Sequence, residues 1–216
     1  MFALVALSLS LSRSVHVHSL HTPGAFKQPK AIYADVDVLQ TLPLRELRCG
    51  MAEAMKHGLI FDASVFTAIT SNFANIVAKD PDTLLNICHN AMRIKGEVVT
   101  LDECEGGIRA CLNFGHTVGH AVEALSPWLQ HGECVGIGMV VEVKAARALG
   151  VCSDATVTAV INCVMDSGLP YEVPLENDLE ELFRYMSKDK KNIGGSGTIK
   201  CVLIDAVRNY YFTDRV

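Results

Sequence analysis

The stretch from Arg109 to Glu142 constrains the fold more than any other part of this chain, because it places three histidines among closely spaced glycines. His116 and His120 are four residues apart, so on a helix their side chains project from one face. His131 follows one loop later, directly before an apolar run with helical spacing. This spacing is typical of a metal site or of acid–base machinery, and structural histidines with no chemical role are the alternative.

Length and composition favour a helical globular enzyme. The chain has 216 residues, of which 50% are hydrophobic and only 6% are aromatic, so aliphatic side chains can form a sizeable core. The net charge of -5 argues against a nucleic-acid-binding surface. The eight cysteines form no Cys-x-x-Cys pair, which indicates buried free thiols in a reducing compartment and therefore a cytoplasmic location.

Residues 1–21 differ from the rest of the chain. Their start is rich in leucine and serine, has no early positive charge, and is too short and too rich in serine for a membrane span. We expect this segment to be disordered or foreign to the fold. A plastid or secretory targeting signal is the alternative.

The remaining residues, 22–216, predict one mainly α-helical domain with short strands at its edges. Apolar residues recur every three or four positions in several segments. We predict helices over residues 46–60, 62–78, 81–100, 108–125, 133–149, 153–167 and 177–186. We predict strands over residues 30–35, 199–205 and 209–212, and a polar loop over residues 188–197.

Glu53 and Lys56 are three residues apart and share one face of the first predicted helix. An ion pair on a solvated helix surface would contribute only about 0.2–0.5 kcal/mol. The neighbouring glycines and methionines indicate a buried face instead, where a carboxylate and an amine must be paired or used. The pattern alone leaves both interpretations open.

Five motifs in a fixed order resemble the 3-dehydroquinate synthase family. They are GMAEAMKHGLI, AMRIKGEVVTLDE, LNFGHTVGHAVEA, HGECVGIGM and the late DKK. The motif FGHTVGH alone would be shared with related sugar-phosphate cyclases, whereas five in series are specific. The resemblance implies the helical C-terminal domain of that fold. It also implies a lyase of the shikimate pathway of aromatic amino acid biosynthesis.

In that family, 3-deoxy-D-arabino-heptulosonate 7-phosphate is converted to 3-dehydroquinate and phosphate. The reaction uses bound NAD⁺ and a divalent metal, so the resemblance implies NAD⁺ and Zn²⁺ or Co²⁺ as cofactors. It also implies a small sugar-phosphate as the partner molecule, without nucleic acid or membrane, and a homodimer in the full-length enzyme.

The resemblance further implies roles for individual residues. The implied metal ligands are Glu53, His116 and His131. The implied catalytic residues are Glu105 and His120, as an acid–base pair, and Lys56 and Lys95, as contacts of the reacting substrate. The implied substrate-binding residues are Arg109 and Asn113 for the carboxylate, and Lys190 or Lys191 for the phosphate. The segment that would touch NAD is Val38, Leu39, Gln40 and Thr41.

The family also has an N-terminal NAD-binding half, which we do not find in this sequence. Residues 1–21 do not resemble it, and the chain has no Gly-x-Gly-x-x-Gly motif. We therefore expect the C-terminal metal-binding domain, with most of the nucleotide site absent and little or no turnover by itself. The alternatives are a metal-binding protein without cyclase activity and a related sugar-phosphate cyclase.

Overall fold

The computed structural model describes residues 31–174, 176–188, 199–207 and 209–213. Within these residues the chain is helical with one antiparallel hairpin, which confirms the predicted mainly α fold with short strands. The helices of this part are α1 (Leu44–Phe61), α2 (Ala63–Thr70), α3 (Phe73–Val77), α4 (Pro81–Leu101), α5 (His116–Leu125), α6 (His131–Ala148), α7 (Asp154–Asp166) and α8 (Leu179–Lys188). The strands are β1 (Cys201–Ala206) and β2 (Asn209–Thr213), and 3-10 helices cover Val36–Thr41 and Ile108–Asn113.

Three predicted elements are wrong. Residues 31–35, the described part of the predicted first strand, form no regular secondary structure. The segment 62–78 is divided into α2 and α3 near Asn72, whose side-chain amide donates to the carbonyl of Ala68 at 2.7 Å and competes with the helical backbone. The segment 108–125 is divided into a 3-10 helix and α5, with Gly115 in the left-handed region (φ 77°) between them.

α6 lies at the centre of the domain, between two apolar clusters. On one side Val135, Met139 and Val143 pack in the main core with residues of α1, α4, α7 and β1. On the other side Cys134 and Ile137 pack with residues of α5 and α8. Because α6 is buried along both sides, its position fixes the elements that pack against it.

Glycines let α5 and α1 approach α6 closely. A Cβ atom at Gly138 would overlap the carbonyl oxygen of Gly115, and one at Gly119 would lie 3.0 Å from the carbonyl oxygen of Cys134. A Cβ atom at Gly132 would overlap the carbonyl oxygen of Cys49 in α1. The three helices therefore meet near the residues at which α5 and α6 begin.

β1 and β2 confirm the two late strands. They pair antiparallel, with Cys201 opposite Thr213 and Leu203 opposite Tyr211. The first four residues of β1 are buried, belong to the main core, and lie against α6. The hairpin therefore covers part of the main core beside α6.

All eight cysteines are free and seven of them are buried, as their spacing and surroundings predict. Cys104, in the turn after α4, is the exposed one. No helix in the described part of the chain is long and apolar enough to cross a membrane.

Candidate metal centre

Three helices bring one carboxylate and two imidazoles together. Glu53 lies in the middle of α1, whereas His116 and His131 are the first residues of α5 and α6. Oε1 of Glu53 lies 3.3 Å from Nε2 of His116 and 3.9 Å from Nε2 of His131. One ligand atom of each residue lies within 4.8 Å of the other two. The cluster combines residues that are far apart in the sequence.

Both imidazoles are oriented by hydrogen bonds through their Nδ1 atoms. Nδ1 of His116 lies 3.2 Å from the carbonyl oxygen of Phe114, and Nδ1 of His131 lies 3.0 Å from Oε2 of Glu123. Because carbonyl and carboxylate oxygens accept, Nδ1 carries the proton in each ring and Nε2 keeps its lone pair. A metal-binding histidine commonly donates its other ring N–H to such an oxygen. The Nε2 atoms of His116 and His131 therefore have lone pairs that could bind a cation.

Glu53 presents one unpaired oxygen to the two imidazoles. Its Oε2 accepts a hydrogen bond from Nζ of Lys56 at 2.7 Å, but its buried Oε1 has no hydrogen-bond partner among the described residues. Burial alone would raise the pKa of Glu53, but the positive charge of Lys56 acts against it, and the pKa of Glu53 lies well below its usual value. An ionised carboxylate with an unpaired buried oxygen fits a divalent cation better than an empty polar cluster.

The burial of Lys56 decides between a solvated and a buried ion pair with Glu53, which the sequence pattern leaves open. The Lys56 side chain is only 2% exposed, so the pair belongs to a buried face. Burial lowers the pKa of Lys56, and Glu53 opposes that change. Burial and then the charge of Lys56 also lower the pKa of His116, which favours its neutral form. The next residue, His57, is buried too, and burial lowers its pKa to about 3.

His120 lies beside the two histidines that are predicted to be ligands, His116 and His131. Its ring centroid is 5.3 Å from that of His116 and 5.9 Å from that of His131. His120, Glu123 and His131 form a second group whose ligand atoms lie within 4.8 Å of one another. The two groups share His131, whose Nδ1 already contacts Glu123. The role of His120 as a proton carrier, rather than a ligand, stays a prediction.

The segment before α5 positions the residues predicted to act on the substrate. Oε1 of Glu105 accepts from the amide of Asn113 at 3.1 Å, and Nη1 of Arg109 donates to the carbonyl of Glu103 at 2.7 Å. Glu105 has a positive φ of 59°, which is uncommon for a residue with a side chain. The carboxylate of Asp102 accepts from three backbone N–H groups, those of Gly106, Gly107 and Arg109. These bonds hold the segment in one shape.

The remaining predicted residues are dispersed. Lys95 is exposed on α4, and its charge contributes to lowering the pKa of Lys56. In the first 3-10 helix Val38, Gln40 and Thr41 are exposed, whereas Leu39 is buried in the core. Lys190 and Lys191 lie outside the described residues.

The sequence analysis did not predict two glutamates of this region, Glu123 and Glu142. Glu123 lies three residues after His120, on the same helical face, and this spacing was a usable signal. Glu142 lies within the apolar run of α6, where a carboxylate is costly unless it has partners. Both contact the segments that present the predicted ligands.

The fold and the cluster define a helical domain with a candidate divalent-metal site of one carboxylate and two imidazoles. The family model described as 3-dehydroquinate synthase C-terminal matches residues 50–192. The chain therefore belongs to the 3-dehydroquinate synthase family and contains its C-terminal domain. This match confirms the family predicted from the motifs.

Two similar relatives carry the name 3-dehydroquinate synthase, and a third is a pentafunctional polypeptide. The 3-dehydroquinate synthase of Thermodesulfovibrio yellowstonii is 40% identical over 186 residues, which cover 85% of this chain and 51% of the relative. That of Pseudoalteromonas atlantica is 42% identical over 171 residues, covering 78% and 48%. The pentafunctional AROM polypeptide 1 of Lodderomyces elongisporus is 40% identical over 87% of this chain and 14% of its own length. The chain spans about half the length of the two bacterial relatives.

Solved structures share the fold. The 2-epi-5-epi-valiolone synthase of Streptomyces hygroscopicus subsp. jinggangensis, with NAD⁺ and Zn²⁺ bound, matches with a TM-score of 0.75 and 24% identity, over 88% of this chain and 55% of its own. A 2-deoxy-scyllo-inosose synthase complexed with carbaglucose-6-phosphate, NAD⁺ and Co²⁺ matches with a TM-score of 0.72 and 22% identity, over 90% and 55%.

Proposed function

We propose that this chain provides the metal- and substrate-binding half of a 3-dehydroquinate synthase, a carbon–oxygen lyase. The proposed reaction converts 3-deoxy-D-arabino-heptulosonate 7-phosphate to 3-dehydroquinate and phosphate. The observation that carries the proposal is the unpaired Oε1 of Glu53, placed beside the Nε2 atoms of His116 and His131. Bacterial relatives of that name, 40% and 42% identical to this chain, support it.

Glu53, His116 and His131 would hold the cation, Zn²⁺ or Co²⁺. Three nitrogen and oxygen donors are the protein ligands of many catalytic zinc sites, which keep a further position for water or substrate. When bound, the cation would polarise the substrate hydroxyl and the carbonyl formed from it. The solved neighbours with bound Zn²⁺ or Co²⁺ support this choice of metal.

The other site residues would bind the substrate and move protons. Lys56 holds Glu53 in its ionised form and would contact the substrate. His120, beside the ligand imidazoles, would exchange a proton with the bound substrate, with Glu105 as its acid–base partner.

Charged and amide groups would orient the substrate at its two ends. Arg109 and Asn113, both in the second 3-10 helix, would bind the carboxylate, since a guanidinium pairs well with a planar carboxylate. Lys95 would be a further cationic contact, and Lys190 or Lys191 would bind the phosphate.

Among the described residues, those of the first 3-10 helix are the ones that we expect to contact NAD⁺. The exposed residues of this helix are Val38, Gln40 and Thr41, whereas Leu39 packs in the core and could contribute only its backbone. A nucleotide needs a larger enclosing surface than one short helix provides. We therefore expect little or no turnover by the chain alone, because hydride transfer needs a bound acceptor. The cytoplasmic location and the homodimer of the full-length enzyme remain proposals.

Calorimetric titration of the purified chain tests the proposal. We expect one equivalent of Zn²⁺ to bind, and the zinc-loaded chain to bind the carboxylated heptulosonate phosphate more tightly than a carboxylate-free heptulose phosphate. Arg109→Ala should remove that difference. Arg147→Ala is the matched control, because Arg147 is an exposed arginine paired with Asp154 at the far end of α6.

Two outcomes would favour the alternatives. Equal or tighter binding of the carboxylate-free sugar would indicate a related sugar-phosphate cyclase. Zinc binding without affinity for either sugar phosphate would indicate a metal-binding protein without cyclase activity.

A further inference from the structure

Glu142 is a buried carboxylate to which the family motifs assign no role. It lies in α6, and only 1% of its surface is exposed. Burial raises its pKa to about 8, although hydrogen bonds from backbone N–H groups act in the opposite direction. A carboxylate at such a position is costly unless its oxygens have partners.

The partners of Glu142 are the backbone N–H groups that begin α5. Oε2 accepts from Gly115 at 2.7 Å and Oε1 accepts from Val118 at 3.2 Å. The first N–H groups of a helix have no acceptor within the helix, and residues before the helix commonly supply one. Here the preceding residue, Gly115, has no side chain, so a neighbouring helix supplies the acceptor. His116 lies between the two residues whose N–H groups Glu142 binds.

One face of α6 carries both Glu142 and the ligand His131. Residues 131, 135, 138 and 142 are separated by four, three and four positions, so they form one stripe along the helix. Gly138 of that stripe lies against the carbonyl of Gly115, and a Cβ at Gly115 would lie 2.9 Å from the carbonyl oxygen of Val135. The same stripe therefore presents one ligand and packs against the turn that presents the other.

We propose that Glu142 is a positioning residue of the metal centre: it fixes the first turn of α5 on α6 and thereby sets the position of His116 relative to His131. The inference rests on the proposed metal site and adds a residue to it. If Glu142 only stabilised the core, its replacement would lower stability without changing the metal affinity of the folded protein.

Zinc affinity of the full chain, measured by competition with a chromophoric chelator, separates these roles. Glu142→Gln preserves the side-chain volume but turns an amide NH₂ toward one of the two backbone donors. We expect its dissociation constant for Zn²⁺ to rise about 10–100-fold, the usual effect of losing an outer partner of a metal ligand. We also expect an altered visible absorption spectrum of the Co²⁺-loaded protein, because the position of His116 changes.

Val143→Ala is the matched control. Val143 is the adjacent buried residue of α6 and packs in the main core. The Val143→Ala substitution should lower the melting temperature while leaving the Zn²⁺ affinity and the Co²⁺ spectrum unchanged. Glu142→Asp is the second variant, because a carboxylate shorter by one methylene cannot reach both N–H groups; it should also weaken Zn²⁺ binding.

The outcomes distinguish this inference from the function on which it rests. Wild-type affinity and spectrum in a folded Glu142→Gln protein would overturn the positioning role alone. Failure of wild-type protein to bind Zn²⁺ would overturn the metal centre and the inference with it. If both Glu142 variants fail to fold while Val143→Ala folds, the role is structural and the inference is wrong.

Discussion

His57 makes the stability of the protein depend on pH at the scale of a single residue. Burial lowers its pKa from 6.5 to about 3. Between those pH values the unfolded chain binds a proton at His57 and the folded chain does not. The free energy of unfolding therefore increases as pH rises across this window and decreases as pH falls. The slope is at most about 1.4 kcal/mol per pH unit.

We expect His57→Gln to flatten this dependence. Urea unfolding at several pH values between 4 and 7 would show a smaller slope of the unfolding free energy against pH than in wild type. His89→Gln is the control, because His89 is an exposed histidine on α4. An unchanged slope in the His57 variant would mean that other groups cause the acid sensitivity.

Glu123 contacts one predicted metal ligand, His131, through a single hydrogen bond. Its carboxylate accepts a hydrogen bond from Nδ1 of His131 at 3.0 Å, and this bond lowers the pKa of Glu123. Glu123→Gln keeps an acceptor but removes the negative charge that strengthens the ligand. We expect Zn²⁺ affinity to fall about 10-fold, the lower end of the range for such partners.

The stoichiometry of zinc binding gives Glu123 a second readout. If excess Zn²⁺ fills two positions in wild type and one in Glu123→Gln, the group of His120, Glu123 and His131 is itself a metal position. One equivalent in both proteins, with weaker affinity in the variant, supports the role of Glu123 as a partner of His131. Equal affinity and equal stoichiometry would contradict both roles.

At the scale of elements, the contact between α5 and α6 depends on the absence of side-chain atoms. Gly138→Ala would place a methyl group on the carbonyl of Gly115, which the backbone can relieve only by separating the helices. We expect a loss of about 1–3 kcal/mol in unfolding free energy, as overpacking usually costs. The measurement is urea or thermal unfolding.

Gly96→Ala is the matched change. Gly96 lies in the interior of α4, and a Cβ there would meet nothing within 4 Å. Alanine is the better helix former, so this variant should gain about 0.5–1 kcal/mol. We expect the change in unfolding free energy to have opposite signs in Gly138→Ala and Gly96→Ala. An equal loss in both variants would show that the α5–α6 contact does not cause the destabilisation of Gly138→Ala.

The contact between α5 and α6 also explains which elements could be predicted from the sequence. α1, α4 and α7 have one apolar face and clear ends, such as Asp80 before α4 and Ser153 before α7, whose side chains accept from the first turn. The break before α5 has no such local signal, because the shape of the turn at Gly115 depends on Glu142 and Gly138 of another helix. Local patterns therefore predict helices well and predict breaks caused by tertiary contacts poorly.

At the scale of the whole molecule, the candidate site combines local and distant information. His116 and His120 could be grouped from their spacing, but Glu53 joins them only because α1 packs against α6. The motif resemblance supplied Glu53, and the structure places its unpaired oxygen beside the two imidazoles. Glu123 could have been found from its spacing to His120, whereas Glu142 is connected to the candidate site only by its contacts with the backbone before and within α5.

Metal binding should stabilise the whole fold, because the three predicted ligands come from α1, α5 and α6. A ligand that binds only the folded state adds about 2.7 kcal/mol at 100 times its dissociation constant. We expect Zn²⁺ to raise the melting temperature by several degrees, and EDTA to reverse the change. Glu53→Ala leaves Lys56 as a buried cation without its partner, so its metal-free form should already be less stable.

The comparison is therefore the zinc-induced shift within each protein, not the melting temperature itself. Glu53→Ala and His131→Ala should show little or no shift. Glu97→Ala, which removes an exposed carboxylate paired with Arg93 on α4, should keep the full shift. A full zinc-induced shift in Glu53→Ala would mean that Zn²⁺ binds elsewhere, because Glu53 provides the carboxylate that connects α1 to the two histidine helices.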